Sequence, residues 1–118
     1  MSMRHNNQKK SLGRESQERK ALLRNLADSL ILHGGITTTL AKARVLRRYV
    51  EPVVTKARKN TLAARREVAK YLFTDSAVKR LMEDVAPRYK DRAGGYTRII
   101  KTGSRENDRA EMARIEFV

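Results

Sequence analysis

The sequence predicts an α+β domain of two layers, in which a small three-stranded sheet is covered by helices and an extended basic arm precedes the domain. Three observations carry this expectation. Apolar residues recur at helical spacing from about residue 23 to residue 85, two stretches switch to β-branched and alternating patterns, and the pairs Gly34-Gly35 and Gly94-Gly95 stand just ahead of those stretches. The implied order is helix, strand, three helices, β-hairpin.

Residues 1–14 are Asn, Gln, Lys, Ser and Arg with almost nothing to bury, which reads as a basic arm ordered by binding. Residues 15–118 make up the single folded domain. A first helix is expected from Glu15 or Ser16 to Leu32 or His33, because Leu23, Leu26, Ala27, Leu30 and Ile31 share a face. Gly34 and Gly35 end it, and the β-branched Ile36-Thr37-Thr38-Thr39 is a short strand whose hydroxyls also suit phosphate or ribose. The second helix runs from Leu40 or Ala41 to Arg58 or Lys59, with Ala43, Leu46, Val50, Val53, Val54 and Ala57 as its buried stripe. Arg44, Arg47, Arg48, Lys56 and Arg58 fall largely outside that stripe. Pro52 lacks an N–H and crowds the carbonyl of Arg48, yet the stripe keeps phase across it, so one bent helix is expected.

Asn60 or Thr61 caps a third helix in which Leu62, Arg66, Ala69, Leu72 and Phe73 are expected to share the inward face, with the Arg66 stem along the core edge. Asp75 or Ser76 caps a fourth, carrying Ala77, Val78, Leu81, Met82 and Val85 and stopped by Pro87. A hairpin follows: Tyr96 to Thr102, a polar loop from Gly103 to Arg109, and Met112 to Val118. In the last strand Ala113, Ile115 and Phe117 face one side, and Arg114 and Glu116 the other.

Charge narrows the partner. With 27 Lys plus Arg against 13 Asp plus Glu, the 118 residues carry a formal +14, and a compact domain of that charge calls for a polyanion. The densest cationic segment is Ala86-Pro87-Arg88-Tyr89-Lys90-Asp91-Arg92-Ala93-Gly94-Gly95-Tyr96-Thr97-Arg98. Its amides near the glycine pair suit an anion, Arg88, Lys90, Arg92 and Arg98 supply charge, and Tyr89 and Tyr96 suit stacking on a base, although a Tyr that opens a strand equally suits a core.

Other chemistries find little support. Without cysteine there is no disulfide, thiol nucleophile or common zinc finger. His5 sits in the arm and His33 at a helix end, Glu83-Asp84 reads as a solvated or ion-paired helix face, and Gly94-Gly95 lacks the spacing of a nucleotide-binding loop. The expectation is therefore no enzyme, no cofactor and no metal. No apolar run approaches the roughly 20 residues that span a bilayer, and the polar N-terminus lacks the apolar centre of a signal peptide, so a cytosolic protein is expected. Charge alone leaves two rivals open, a DNA-binding nucleoid protein and a protein-interaction adaptor.

Four stretches together resemble the bacterial large-subunit ribosomal proteins of family seventeen. They are Met3-Arg4-His5; Arg24-Asn25-Leu26-Ala27 with Ser29-Leu30; Ile36 to Ala43 followed by Leu46-Arg47; and Ala86-Pro87-Arg88-Tyr89 continuing through Arg92-Ala93-Gly94-Gly95-Tyr96-Thr97-Arg98-Ile99. Met112-Ala113, Ile115-Glu116 and Val118 resemble the family's closing strand. The resemblance implies a structural constituent of the large ribosomal subunit in the cytoplasm, bound to large-subunit ribosomal RNA near the polypeptide exit tunnel and touching the ribosomal protein of family thirty-two, one copy per ribosome. The RNA-binding residues it and the charge pattern point to are Arg4, His5, Lys9, Lys10, Arg14, Arg19, Lys20, Arg24, Thr37, Thr38, Lys42, Arg47, Arg88, Arg92, Gly94, Gly95, Tyr96 and Arg98. The chain departs from the family pattern at Lys9-Lys10, where Gly-Arg is usual, at Glu18, where His is usual, and at Asn107, where Gly is common. The family's usual start corresponds to Met3.

Overall fold

The computed structural model describes the backbone of residues 2–118 and the side chains of residues 17–118. The elements are α1 (Ser2–His33), β1 (Gly35–Thr39), α2 (Leu40–Ala57), α3 (Leu62–Ala69), α4 (Asp75–Arg80), β2 (Thr97–Ser104) and β3 (Glu111–Phe117). Between α4 and β2 the chain continues as a π-helical turn, Leu81–Val85, and a 3₁₀ turn, Ala86–Tyr89. The expected α+β order is present. Helix α1 begins at Ser2, where an extended arm and a helix start at Glu15 or Ser16 were expected; the side chains of residues 1–16 lie outside the described residues.

The sheet is antiparallel with β3 in the centre, in the order β1-β3-β2. Ile36 lies opposite Ile115, and Ile99 opposite the same Ile115, so three branched side chains cross the inner face. Ala113, Ile115 and Phe117 are buried against the helical layer, while Arg114 stands on the outer face, as the alternation predicts. The register of β2 on β3 slips between Lys101 and Gly103, and Gly103 takes φ +114°, a conformation suited to glycine at a bulge.

Helix α2 is the spine of the domain. It packs on the inner face of the sheet and against α1 and α3, and its predicted stripe, Ala43, Leu46, Val50, Val53, Val54 and Ala57, is buried throughout. Thr39 caps it by accepting from the Lys42 amide at 3.3 Å. The helix runs unbroken through Pro52. Helix α1 ends where Gly34 enters the left-handed region at φ +80° and its amide closes on the Leu30 carbonyl at 2.7 Å.

Three expectations for the shorter helices need correction. In α3 the inward residues are Ala64 and Val68, continued by Leu72. Leu62 and Phe73 are each 64% exposed, and Arg66 and Ala69 also face solvent. Both faces are apolar enough to bury. The structure buries the side that carries Ala64 and Val68, and the chain leaves helical geometry after Ala69, so Phe73 never reaches the predicted face. In α4 the cap is Thr74, not Asp75 or Ser76: Thr74 Oγ1 accepts from the Ala77 amide at 3.2 Å. Pro87 does not stop the helical path. It sits in the first turn of the 3₁₀ segment, where its missing N–H costs nothing, and the path runs on to Tyr89.

A buried carboxylate joins these parts. Asp28, 6% exposed on α1, accepts from the amides of Phe73 (2.9 Å) and Thr74 (3.1 Å) and from the Thr74 hydroxyl (2.7 Å). Arg24 and Arg80 bind carbonyls on the opposite element, Arg24 to Leu72 (3.2 Å) and Arg80 to Ile31 (2.9 Å), so α1 is sewn to the α3–α4 connection from both sides. Asp28→Asn turns one acceptor into a donor facing these donors, with an expected loss of about 2 kcal/mol in chemical denaturation. A change within about 0.5 kcal/mol would mean that the connection is held by apolar packing alone.

Candidate nucleic-acid interface

The Gly94-Gly95 loop holds an anion, but one from the chain itself. Glu51, in the middle of α2, accepts from the amides of Gly95 (2.9 Å), Tyr96 (3.2 Å) and Thr97 (3.0 Å) and from the Thr97 hydroxyl (2.8 Å). Gly95 is at φ +67°, which turns these successive N–H groups toward one point. The expectation that these amides serve phosphate is thereby corrected: an internal carboxylate occupies them.

Tyr96 is corrected in the same way. It is fully buried, its ring centroid 5.1 Å from that of Tyr89, and its hydroxyl lies 2.9 Å from Thr55 Oγ1, accepts from Arg58 Nη1 at 3.3 Å and reaches the Arg92 carbonyl at 3.2 Å. It has no face to offer a base. Tyr89 is buried as well, its hydroxyl donating to the C-terminal Val118 carbonyl, and burial raises its pKa above the usual phenol value.

The loop cations divide. Arg88 pairs with Asp84 at 3.2 Å, the same carboxylate that meets Arg80 at 3.5 Å, so of the acidic residues 83 and 84 it is Asp84 that serves ion pairing on a helical face. Arg98 pairs with Glu116 at 2.7 Å, and Arg114 holds the other Glu116 oxygen at 2.8 Å; the two guanidiniums lower the Glu116 pKa, that of Arg98 foremost. Arg92 is exposed and, among the described residues, carries no ion pair. Gly94 borders a shallow hollow beside α2.

On α1, Arg19 and Lys20 are exposed, whereas Arg24 is half-buried and engaged with Leu72, a structural role that sequence reading assigned to phosphate. Thr37 is exposed on the outer sheet face opposite Arg114, and Thr38 is half-buried opposite Ala113. Gly35 leaves room for the Arg114 guanidinium, which a Cβ there would strike. Lys42 and Arg47 are exposed on α2. Arg4, His5, Lys9, Lys10 and Arg14 lie outside the described side chains.

The structure brings together two cationic surfaces. One is the outer sheet face, where Arg98, Arg114 and Thr37 surround Glu116. The other lies between α2 and β2, where Arg47 stands with Arg44, Arg48 and Lys101. Arg44, Arg48, Lys101 and Arg114 were not selected from the sequence, although Arg44, Arg47 and Arg48 sit at i, i+3 and i+4, a visible clue to one basic face. The hairpin tip is held differently: Arg105 grips Asp108 (2.8 Å) and, with the Ala110 amide, holds its carboxyl at about 2. The left-handed residue there is Arg109, at φ +57°.

Comparison with known proteins decides the family. The family profile of ribosomal protein L17 matches residues 22–118. The chain belongs to the ribosomal protein L17 family. Among its relatives, large ribosomal subunit protein bL17 of Gemmatimonas aurantiaca is 52% identical over 116 residues, spanning 98% of each chain. The bL17 of Porphyromonas gingivalis is 53% identical over 98% of this chain and 72% of its own length, and that of Rickettsia bellii 49% over 98% and 82%. Membership of the L17 family makes this chain a structural protein of the large ribosomal subunit in the cytoplasm, and not an enzyme. Among the described residues no helix is long and apolar enough to cross a membrane.

Proposed function

We propose that this L17 protein binds large-subunit ribosomal RNA mainly through phosphate and shape contacts near the polypeptide exit tunnel, beside the ribosomal protein of family thirty-two. Residues 1–14 act as an arm between RNA helices and residues 15–118 as the RNA-binding domain. The observation that carries the reading is the formal +14, much of it on exposed side chains of α1 and α2 that have no carboxylate partner among the described residues. Exposed, unpaired guanidinium and ammonium groups bind phosphate without regard to base sequence and release counterions when they do. Arg19 and Lys20 on α1, Thr37, Lys42 and Arg92 remain free to contribute. The place near the tunnel and the neighbour rest on the family likeness alone.

Two measurements test this. In sucrose gradients the protein is expected to sediment with large subunits at moderate and high salt; recovery only in light fractions, with subunits intact, would remove the ribosomal role. With purified protein and large-subunit ribosomal RNA, contact with about six to ten phosphates predicts a fall in affinity of about 10³ to 10⁵ fold between 50 and 200 mM salt. A flat response would exclude the electrostatic account. Chemical cross-linking on intact subunits tests the neighbour, and cross-links confined to proteins far from the tunnel would move the site.

A further inference from the structure

Resting on the RNA-binding reading, we infer that the groove between α2 and β2 is the main phosphate clamp of the domain and takes a segment of RNA backbone, in preference to the Arg88 to Arg98 loop. The groove encloses about 670 Å³. Arg44, Arg47 and Arg48 line one wall and Lys101 the other; all four are exposed, and none is ion-paired among the described residues.

Local geometry explains why these cations point one way. Arg44 and Arg48 lie one helical turn apart, about 6 Å of axial rise, and Arg47 stands between them on the same side. Arg44 and Arg48 point away from the buried stripe of α2 and Arg47 flanks its edge. Lys101 leaves β2 just before the register slip, at the point where the strand edge faces α2. Between the walls, Leu40, Pro52 and Ile99 form an apolar floor. Cationic walls over an apolar floor suit phosphates on the rim and the less polar face of a sugar or base below.

Charge complementarity separates this groove from the loop. The one carboxylate that lines it is Glu51, whose oxygens are already taken by three amides and a hydroxyl. The groove therefore holds four cations against one carboxylate, and none of the four is ion-paired among the described residues. In the loop, by contrast, Arg88 and Arg98 are matched by Asp84 and Glu116, and the Gly95 to Thr97 amides by Glu51. Among the described residues the loop offers phosphate only Lys90 and Arg92 without an ion pair, whereas the groove offers four such cations.

The test compares two charge-neutralised proteins on the same probe, protein-free large-subunit ribosomal RNA, with duplex DNA at matched salt as the control. Arg44→Gln/Arg47→Gln/Arg48→Gln is expected to lower RNA affinity roughly 100-fold and to reduce the salt slope by about two to three, with the thermal midpoint kept because all three side chains are exposed. Arg88→Gln/Arg92→Gln/Arg98→Gln, which removes the same number of charges, is expected to lower it less than about tenfold. Lys101→Gln serves as a second probe from the facing strand, with an expected drop of about threefold to tenfold. If the loop variant loses more than the groove variant, the clamp lies at the loop and the inference is overturned while the RNA reading stands. If the unaltered protein binds RNA no better than duplex DNA, the RNA reading itself fails.

Discussion

Tyr96→Ala is expected to cost the domain about 4 kcal/mol and lower its thermal midpoint by roughly 15 °C. The estimate follows from a fully buried aromatic that stacks obliquely on Tyr89 and terminates in a polar cluster with Thr55, Arg58 and the Arg92 carbonyl. Removing the ring opens a cavity where α2, the 3₁₀ turn and β2 meet, and it leaves the Arg58 guanidinium, one nitrogen of which already lacks a partner among the described residues, with its bond to the Lys90 carbonyl alone. Tyr96→Phe keeps the ring and loses only the hydroxyl, with an expected cost of about 1 to 1.5 kcal/mol. Circular dichroism melts of both variants measure this. A Tyr96→Ala protein that melts like the unaltered chain and binds RNA poorly would return Tyr96 to the surface as a base-stacking residue.

The second large effect is expected at Glu51. Glu51→Ala removes the common acceptor of three amides and one hydroxyl and leaves the turn at residues 95–97 without its internal anion, a loss of about 3 kcal/mol. Glu51→Gln retains one oxygen but turns an NH₂ group toward donors, so it should recover less than half of that loss. Urea denaturation supplies the free energies, and amide hydrogen exchange at Gly95, Tyr96 and Thr97 supplies a local readout that should speed up well beyond the rest of β2. Unchanged exchange at those three amides would mean that the turn is held by its backbone alone. Full stability in the Glu51→Ala protein would also reopen the turn as a place for external phosphate.

Much of the fold was legible in the sequence because the periodic apolar stripes of α1, α2 and β3 each have a single way to be buried. Val50, Val53, Val54 and Ala57 keep phase across Pro52, so the stripe outweighed the local effect of proline. In α3 two faces were nearly equivalent, and sequence reading chose the one that carries Leu62 and Phe73. Nothing local distinguishes them; the decision comes from tertiary packing, which sets α3 against α2 and buries Ala64 and Val68. At the termini of α3 and α4, several residues could cap. Thr61 and Thr74 win because their extended backbone sets the hydroxyl over the next turn's amides.

The candidate interface divides along the same line. By itself the sequence determined that the chain is a small cationic α+β domain of the L17 type, because composition, apolar period and motif are properties of the chain before it folds. Only the tertiary structure decided which charges are free. Asp84 pairs with Arg88 and Glu116 with Arg98, Glu51 fills the amide turn from 44 residues away along the chain, and Asp28 ties the α3–α4 connection to α1. A charge count treats every arginine alike, but the field that RNA meets depends on which cations have a carboxylate within a few ångströms. That is set by long-range packing, which brought Arg44, Arg47, Arg48 and Lys101 together and left them without an ion pair among the described residues.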